Sequence, residues 1–314
     1  MRNRRVMLLA AVLLPLAAAY VQWAVFGLPQ VPVGPEAAPE AATPHGFPPW
    51  LRITHYVNFL FLILLVRSGL QILMDHPRLY WSVHCAPGTE WLRLTPIEVP
   101  KDRVWTANDD NRYLSPWIGL PGYRFTVGMA RHWHFLSVLF WVGNGLVFVA
   151  LLFGTSQWRR LVPLSWSVVP DAWAIFVHYA TFHMPPEPNG FYRYNALQQL
   201  SYFAVVFLLA PLAILTGPSM SPALTNRFAW YPKLPGNRQI GRSLHFLIMC
   251  AFVAFLIGHV TMVVRTGLMR NLNHIVLGTD DTRPLGLYLG LVGLGVVVAL
   301  NALANGISLS LIHI

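Results

Sequence analysis

The sequence predicts an all-α integral membrane protein, a helical bundle of about six transmembrane helices. Three observations carry this expectation. The chain is 55% hydrophobic and only 11% charged, against roughly 25% charged residues in soluble domains. Its apolar residues fall in six blocks, 6–26, 51–73, 132–154, 197–217, 243–265 and 284–306, each long enough to cross about 30 Å of hydrocarbon as a helix. None of the six blocks contains Asp or Glu. Helices are expected because in lipid a helix satisfies its own backbone groups.

The first block follows Arg2, Arg4 and Arg5 and contains the small-residue run 17–19. That combination resembles a secretory signal, whereas apolar character continuing to Phe26 fits a retained anchor. Residues 1–26 are therefore read as an N-terminal anchor or signal-like helix. Residues 27–50 are rich in Pro and Ala, hold no Lys or Arg, and read as a linker. Residues 51–283 form the core region. Within it, 74–131 is a long polar connection carrying Trp81, Trp91, Trp105 and Trp117. So many aromatic residues argue against disorder, and a folded cap on one membrane face is expected. The connection 155–196 includes 170–184, "PDAWAIFVHYATFHM", expected to form a short interfacial helix. Residues 284–314 supply a C-terminal transmembrane helix and tail.

A formal charge of +10 arises from 22 basic and 12 acidic residues. The basic residues sit at the ends of apolar blocks, where they set membrane topology, and no basic stripe or recognition motif points to a nucleic-acid partner. Cys85 and Cys250 stand outside any C-x-x-C pattern, which argues against covalent c-type haem, iron–sulfur clusters and zinc ribbons. No catalytic carboxylate pair, nucleophile triad or complete zinc motif is present, so no residue of this chain is expected to carry substrate chemistry alone.

The informative residues are histidines inside apolar blocks. His245 and His259 lie fourteen residues apart in the fifth block. Fourteen residues rise roughly 21 Å and make nearly four turns, so both share one helix face, one near each end. Polar groups in lipid are expensive and usually functional. The second block carries His55 near its start, and the third opens on His132 and His134. Successive spans alternate direction. His55 then lies at the depth of His259, and His134 at the depth of His245. A b-type haem needs axial ligands on opposite faces of its iron, and facing helices supply them. Two imidazole pairs at two depths predict two bis-histidine haems b, an arrangement for carrying electrons across a membrane. His132 and His134 are about 200° apart around the helix; His134 lies deeper and is the preferred ligand. Arg52, Arg131 and Arg242 stand two or three residues before these histidines, as partners for haem propionates or as markers of helix ends. Gly143, Gly145 and Gly258 would admit a flat macrocycle or ordinary helix packing.

With these residues in place, the sequence resembles the dihaem cytochrome b subunits of Ni,Fe-hydrogenases, formate dehydrogenases and thiosulfate reductases over residues 50–270. The pair His245 and His259, "RHWHF" with His134, and His55 match the histidines of that family's core helices. "HPRLYW" (76–81) and "NLNHIVLG" (271–278) look most like the thiosulfate-reductase type. The resemblance implies the same ligand pairing, His55 with His259 and His134 with His245. It also implies a quinone site at "YRYNALQQLSYF", which carries over to Asn195, Gln198 and Gln199; the alternative is that the first two cap the helix. It further implies a four-helix dihaem core, to which this chain adds one extra transmembrane helix at each end, and, as catalytic partner, a separate oxidoreductase subunit, molybdopterin-containing by that likeness alone.

Sidedness divides. With a cytoplasmic N-terminus, fourteen basic residues fall inside and seven outside, which favours that orientation. The relatives named above start their first core helix in the cytoplasm, which is the opposite. The expected location is a bacterial cytoplasmic (inner) membrane. Two other readings compete: a haem-free proton-coupled transporter using the intramembrane histidines, and a stand-alone haem membrane reductase.

Overall fold

A computed structural model describes residues 2–31, 46–96, 100–104, 106–122, 127–185 and 189–312, with side chains of 2–9, 107–108 and 312 excepted. The chain is helical almost throughout. Its elements are α1 (Arg2–Phe26), α2 (Pro49–Leu73), a two-stranded antiparallel pair β1 (Arg78–Leu79) and β2 (Leu92–Arg93), α3 (Ala107–Asp110), α4 (Val127–Gly154), α5 (Trp158–Leu161), α6 (Val168–Ala180), α7 (Ala196–Phe203), α8 (Ala210–Thr216), α9 (Pro222–Arg227), α10 (Arg238–Arg265), α11 (Leu268–Leu272) and α12 (Leu285–Ile312). A π-helical turn, Ala204–Leu209, joins α7 to α8, so these form one span, Ala196–Met220.

Among the described residues, five helices are long and apolar enough to cross a membrane: α2, α4, the Ala196–Met220 span, α10 and α12. In α1 the apolar helix with described side chains is the shorter Ala10–Phe26. The helices extend past the apolar blocks. α4 begins at Val127 and α10 at Arg238, so Arg131 and Arg242 sit within helices and not ahead of them. A helix is set by its hydrogen bonds and does not stop where hydropathy falls. The proposed linker yields its last two residues to α2, where Pro49 takes the first helical position that its fixed φ suits; residues 32–45 lie outside the described residues.

The chain divides into two compact units. One comprises residues 47–79, 92–151 and 262–314. There α2 and α4 run antiparallel and are tied by polar contacts: Asn144 Nδ2 donates to the Thr54 carbonyl at 3.0 Å, and Trp141 Nε1 to Asn58 Oδ1 at 2.7 Å. α12 packs on the same pair. Its Ser308 accepts from Trp133 Nε1 at 2.6 Å, and its Asn301 and Asn305 side chains accept from Arg67 at 2.9 Å each. Arg67, the one charged residue well inside a span, is thereby buried and neutral in its hydrogen bonding, since it also donates to the carbonyls of Pro116 and Gly119. Such bonds offset the roughly 2.5–3.5 kcal/mol that an arginine costs at the centre of a membrane helix. In the 74–131 connection, Arg78 and Asp110 form a buried ion pair beside the β1–β2 pair.

The other unit comprises residues 1–46, 80–91 and 152–261. Of the four cap tryptophans, Trp81 and Trp91 stack at 5.3 Å, and Trp91 Nε1 donates to Ser243 Oγ on α10 at 2.8 Å. Trp117 is exposed, so it does not support the cap, and Trp105 lies outside the described residues. The expected helix at 170–184 forms as α6, shifted toward the N-terminus. It packs on α1 through Trp173 Nε1, which donates to Gln22 Oε1 at 2.7 Å.

Candidate functional site

α2 and α4 bring Ser68 to His134. Ser68 Oγ lies 2.7 Å from the Leu64 carbonyl one turn back and 3.0 Å from His134 Nδ1. A serine hydroxyl has one proton and two lone pairs. If the proton is committed to the Leu64 carbonyl, the oxygen must accept from the imidazole, which places the ring proton on Nδ1. Nε2 is then the nitrogen that carries the lone pair, the form in which histidine binds metal. Gly69 lies beneath the ring, where an added Cβ would stand 3.5 Å from His134 Cε1. An alanine methyl would just touch the imidazole, and a larger side chain would displace it.

The same construction recurs in the other unit. Thr216 Oγ1 lies 2.7 Å from the Leu212 carbonyl and 2.9 Å from His245 Nδ1. Gly217 follows, with a Cβ position 3.6 Å from His245 Cε1. His245 therefore also carries its proton on Nδ1. Farther along α10, His259 Nδ1 is 3.5 Å from Tyr202 Oη, and its ring stacks on Phe255 at 5.5 Å. The span Ala196–Met220 has no histidine, yet it supplies the Nδ1 partners of both α10 imidazoles.

His132 turns away from His134: it is exposed, and its Nδ1 lies 2.9 Å from the Gly128 carbonyl of its own helix. His55 is exposed on α2, with Tyr56 edge-on at 6.1 Å. Arg52 Nη1 donates to the Val276 carbonyl at 2.7 Å, Arg131 is exposed, and Arg242 is half-buried. Gly143, Gly145 and Gly258 have nothing within 4 Å of a Cβ position, so helix packing does not explain them.

Asn195 and Gln198 form a capping box at the start of α7: Asn195 Oδ1 accepts from the Gln198 backbone N–H at 2.8 Å, and Gln198 Oε1 from that of Asn195 at 3.0 Å. Gln199 Nε2 donates to the carbonyls of Arg160 and Val162 at 3.3 and 3.4 Å. Two turns on, the same helix carries Tyr202 to His259.

Among the other histidines, His178 Nε2 donates to the Pro29 carbonyl at 3.0 Å and His183 Nδ1 lies 3.0 Å from Thr181 Oγ1. His274 is buried in a π-helical turn, 2.8 Å from Asp280 and stacked on Phe47. No group of three or more His, Cys, Asp or Glu that could hold a metal ion occurs among the described residues.

Ser68, Thr216 and Tyr202 escaped the sequence reading. A signal for the first two was present: "RSG" and "LTG" place a hydroxyl residue before glycine near the end of an apolar block. Alternation of the spans puts those ends at the depth of His134 and His245.

The bundle and its lone-pair-bearing imidazoles define a class, the haem-binding membrane subunits that carry electrons. Residues 46–278 match the family model of prokaryotic cytochrome b561, and the chain belongs to that family. Over 221 residues it is 26% identical to a protein of Azospira oryzae named as a protein-methionine-sulfoxide reductase subunit, YedZ1; the match covers 69% of this chain and 88% of that protein. No solved structure matches. Family membership brings haem b, and the donor set fits it, because both fixed tautomers leave the lone pair on Nε2.

Proposed function

We propose that this chain passes electrons between a membrane quinone pool and a catalytic oxidoreductase subunit through two bis-histidine haems b. His134 with His245 and His55 with His259 would hold the two irons, as their depths along the spans require. Bound haem supplies one-electron transfer; the protein supplies fixed axial imidazoles and a low-dielectric path. The observation that carries the reading is the hydroxyl–imidazole contact made separately at His134 and His245.

Quinone binding would fall at the start of α7. Asn195 and Gln198 each commit their carbonyl oxygen to the capping box. That geometry leaves the amide N–H groups as the donors suited to a quinone carbonyl, Asn195 Nδ2 also lying 3.5 Å from Tyr179 Oη, on the helix whose Tyr202 touches His259. Conversion between quinol and quinone exchanges two electrons and two protons, and the one-electron carriers would take the electrons singly. Arg52, Arg131 and Arg242 are candidates for propionate pairing.

The partner would be a separate catalytic subunit, molybdopterin-containing as the sequence resemblance implies. The Azospira protein, by its name a subunit of a reductase, supports a membrane component working with a catalytic one. Membership of the cytochrome b561 family removes the support for a haem-free transporter. The test is a haem assay on the purified chain: two haem b per polypeptide, both reducible by a short-chain quinol, is expected. A colourless protein, or haem that quinol does not reduce, would contradict the proposal.

A further inference from the structure

We infer that Ser68 and Thr216 are positioning residues, each setting the reduction potential of the haem that its own imidazole, His134 or His245, would hold. The inference rests on the ligand reading above and adds residues to it.

Three candidates stood out in the molecule. The Arg67 cluster meets the guanidinium Nη groups with carbonyl and amide oxygens, its Nε excepted, and reads as structural. The His274–Asp280–Arg270 group lies outside the spans and is closed by its own ion pairs. The hydroxyl–imidazole pairs differ from both, because each aims a chemically specific bond at a candidate ligand.

The two contacts are built alike from unrelated stretches of chain. In each, a helical hydroxyl donates 2.7 Å to the carbonyl four residues back and accepts from Nδ1–H at 3.0 or 2.9 Å. Each is followed by a glycine that leaves room for the ring. A hydroxyl in the interior of a helix usually bonds back to its own turn and slightly weakens the helix. Here the second lone pair is put to use, and the hydroxyl becomes a stronger acceptor because its proton is already donated. An accepted Nδ1–H raises the basicity of Nε2. A more basic imidazole favours ferric over ferrous iron, so these bonds lower the potential. At His259 the corresponding distance to Tyr202 is 3.5 Å, at the edge of hydrogen-bonding range. The inference therefore concerns His134 and His245 and not His259.

The experiment is an optical redox titration of the full-length membrane protein carrying S68A, T216V, S68T or T216S, with haem content measured in parallel. S68A and T216V should each raise the midpoint of a haem. The expected size is roughly a tenfold change in ferric-over-ferrous preference, the lower end of what outer-shell partners are worth, or about 59 mV for a one-electron couple. S68T and T216S keep the hydroxyl and should titrate as the native protein does. Unchanged midpoints in S68A and T216V overturn the inference. If T216V sheds its haem, T216S decides: retention of haem and native potential supports the hydroxyl, and loss in T216S too shows a packing role and overturns it. H245A separates the two levels. If it retains both haems, the ligand reading itself fails; if it loses one while T216V is unchanged, only the present inference fails.

Discussion

Asn195 and Gln198 cap each other: the side-chain oxygen of each accepts the backbone N–H of the other, at 2.8 and 3.0 Å. The same two residues are the candidate quinone donors, so a simple deletion confounds two roles. Asn195→Ala removes the cap and should cost about 1 kcal/mol of helix stability. Asn195→Asp keeps an oxygen for the Gln198 N–H but has no amide N–H to offer. The expected outcome is a melting temperature near that of the native protein with quinol-driven haem reduction slowed at least tenfold. Unaltered reduction kinetics in N195D would remove Asn195 from the quinone site.

Arg67 donates to Asn301, Asn305, Pro116 and Gly119 from inside α2. Methionine at this position approximates its length without its donors and strands those buried acceptors. Charged hydrogen bonds of this kind are worth about 1.5–3 kcal/mol. Arg67→Met should therefore lower the thermal midpoint in detergent clearly, while adding no haem and removing none. Circular dichroism melts together with the haem assay check both parts, and an unchanged midpoint would show that the cluster contributes nothing.

Asp281 accepts from Arg283, and this hydrogen bond holds its carboxyl well below the usual carboxylate range. It also accepts from Asn273 Nδ2 at 2.7 Å, at the turn that leads into α12. Because the folded-state value is depressed, the carboxylate stabilises this turn at pH above its unfolded value of about 3.9. That stabilisation is lost as pH falls through the folded value. Amide exchange of residues 279–286 should thus be flat from neutral pH to about 4, once corrected for intrinsic rates, and should rise below it. Asp281→Asn should remove the pH dependence; a rise persisting in D281N would assign it to another group.

Much of this was legible in the sequence for a physical reason: lipid forces hydropathy, length and helix to coincide. The blocks around α2, α4 and α10 needed no tertiary information. What hydropathy could not reveal was made by contacts between distant segments. Ser68 is an unremarkable mid-helix serine until α4 brings His134 to it. The π-helical turn at 204–209 has no sequence mark of its own, and α10 begins before its apolar block because backbone hydrogen bonds tolerate Arg238 and Arg242. Asn195 and Gln198 show the opposite case, where one short pattern, N-x-x-Q, serves equally as helix cap and as ligand donor.

The most direct test of the central claim is the haem content of H134A, H245A and the double variant H134A/H245A. If the two imidazoles grip a single iron, each single variant should retain about one haem per chain, and so should the double. Two haems in either single variant, or none in the double where each single keeps one, would contradict the account.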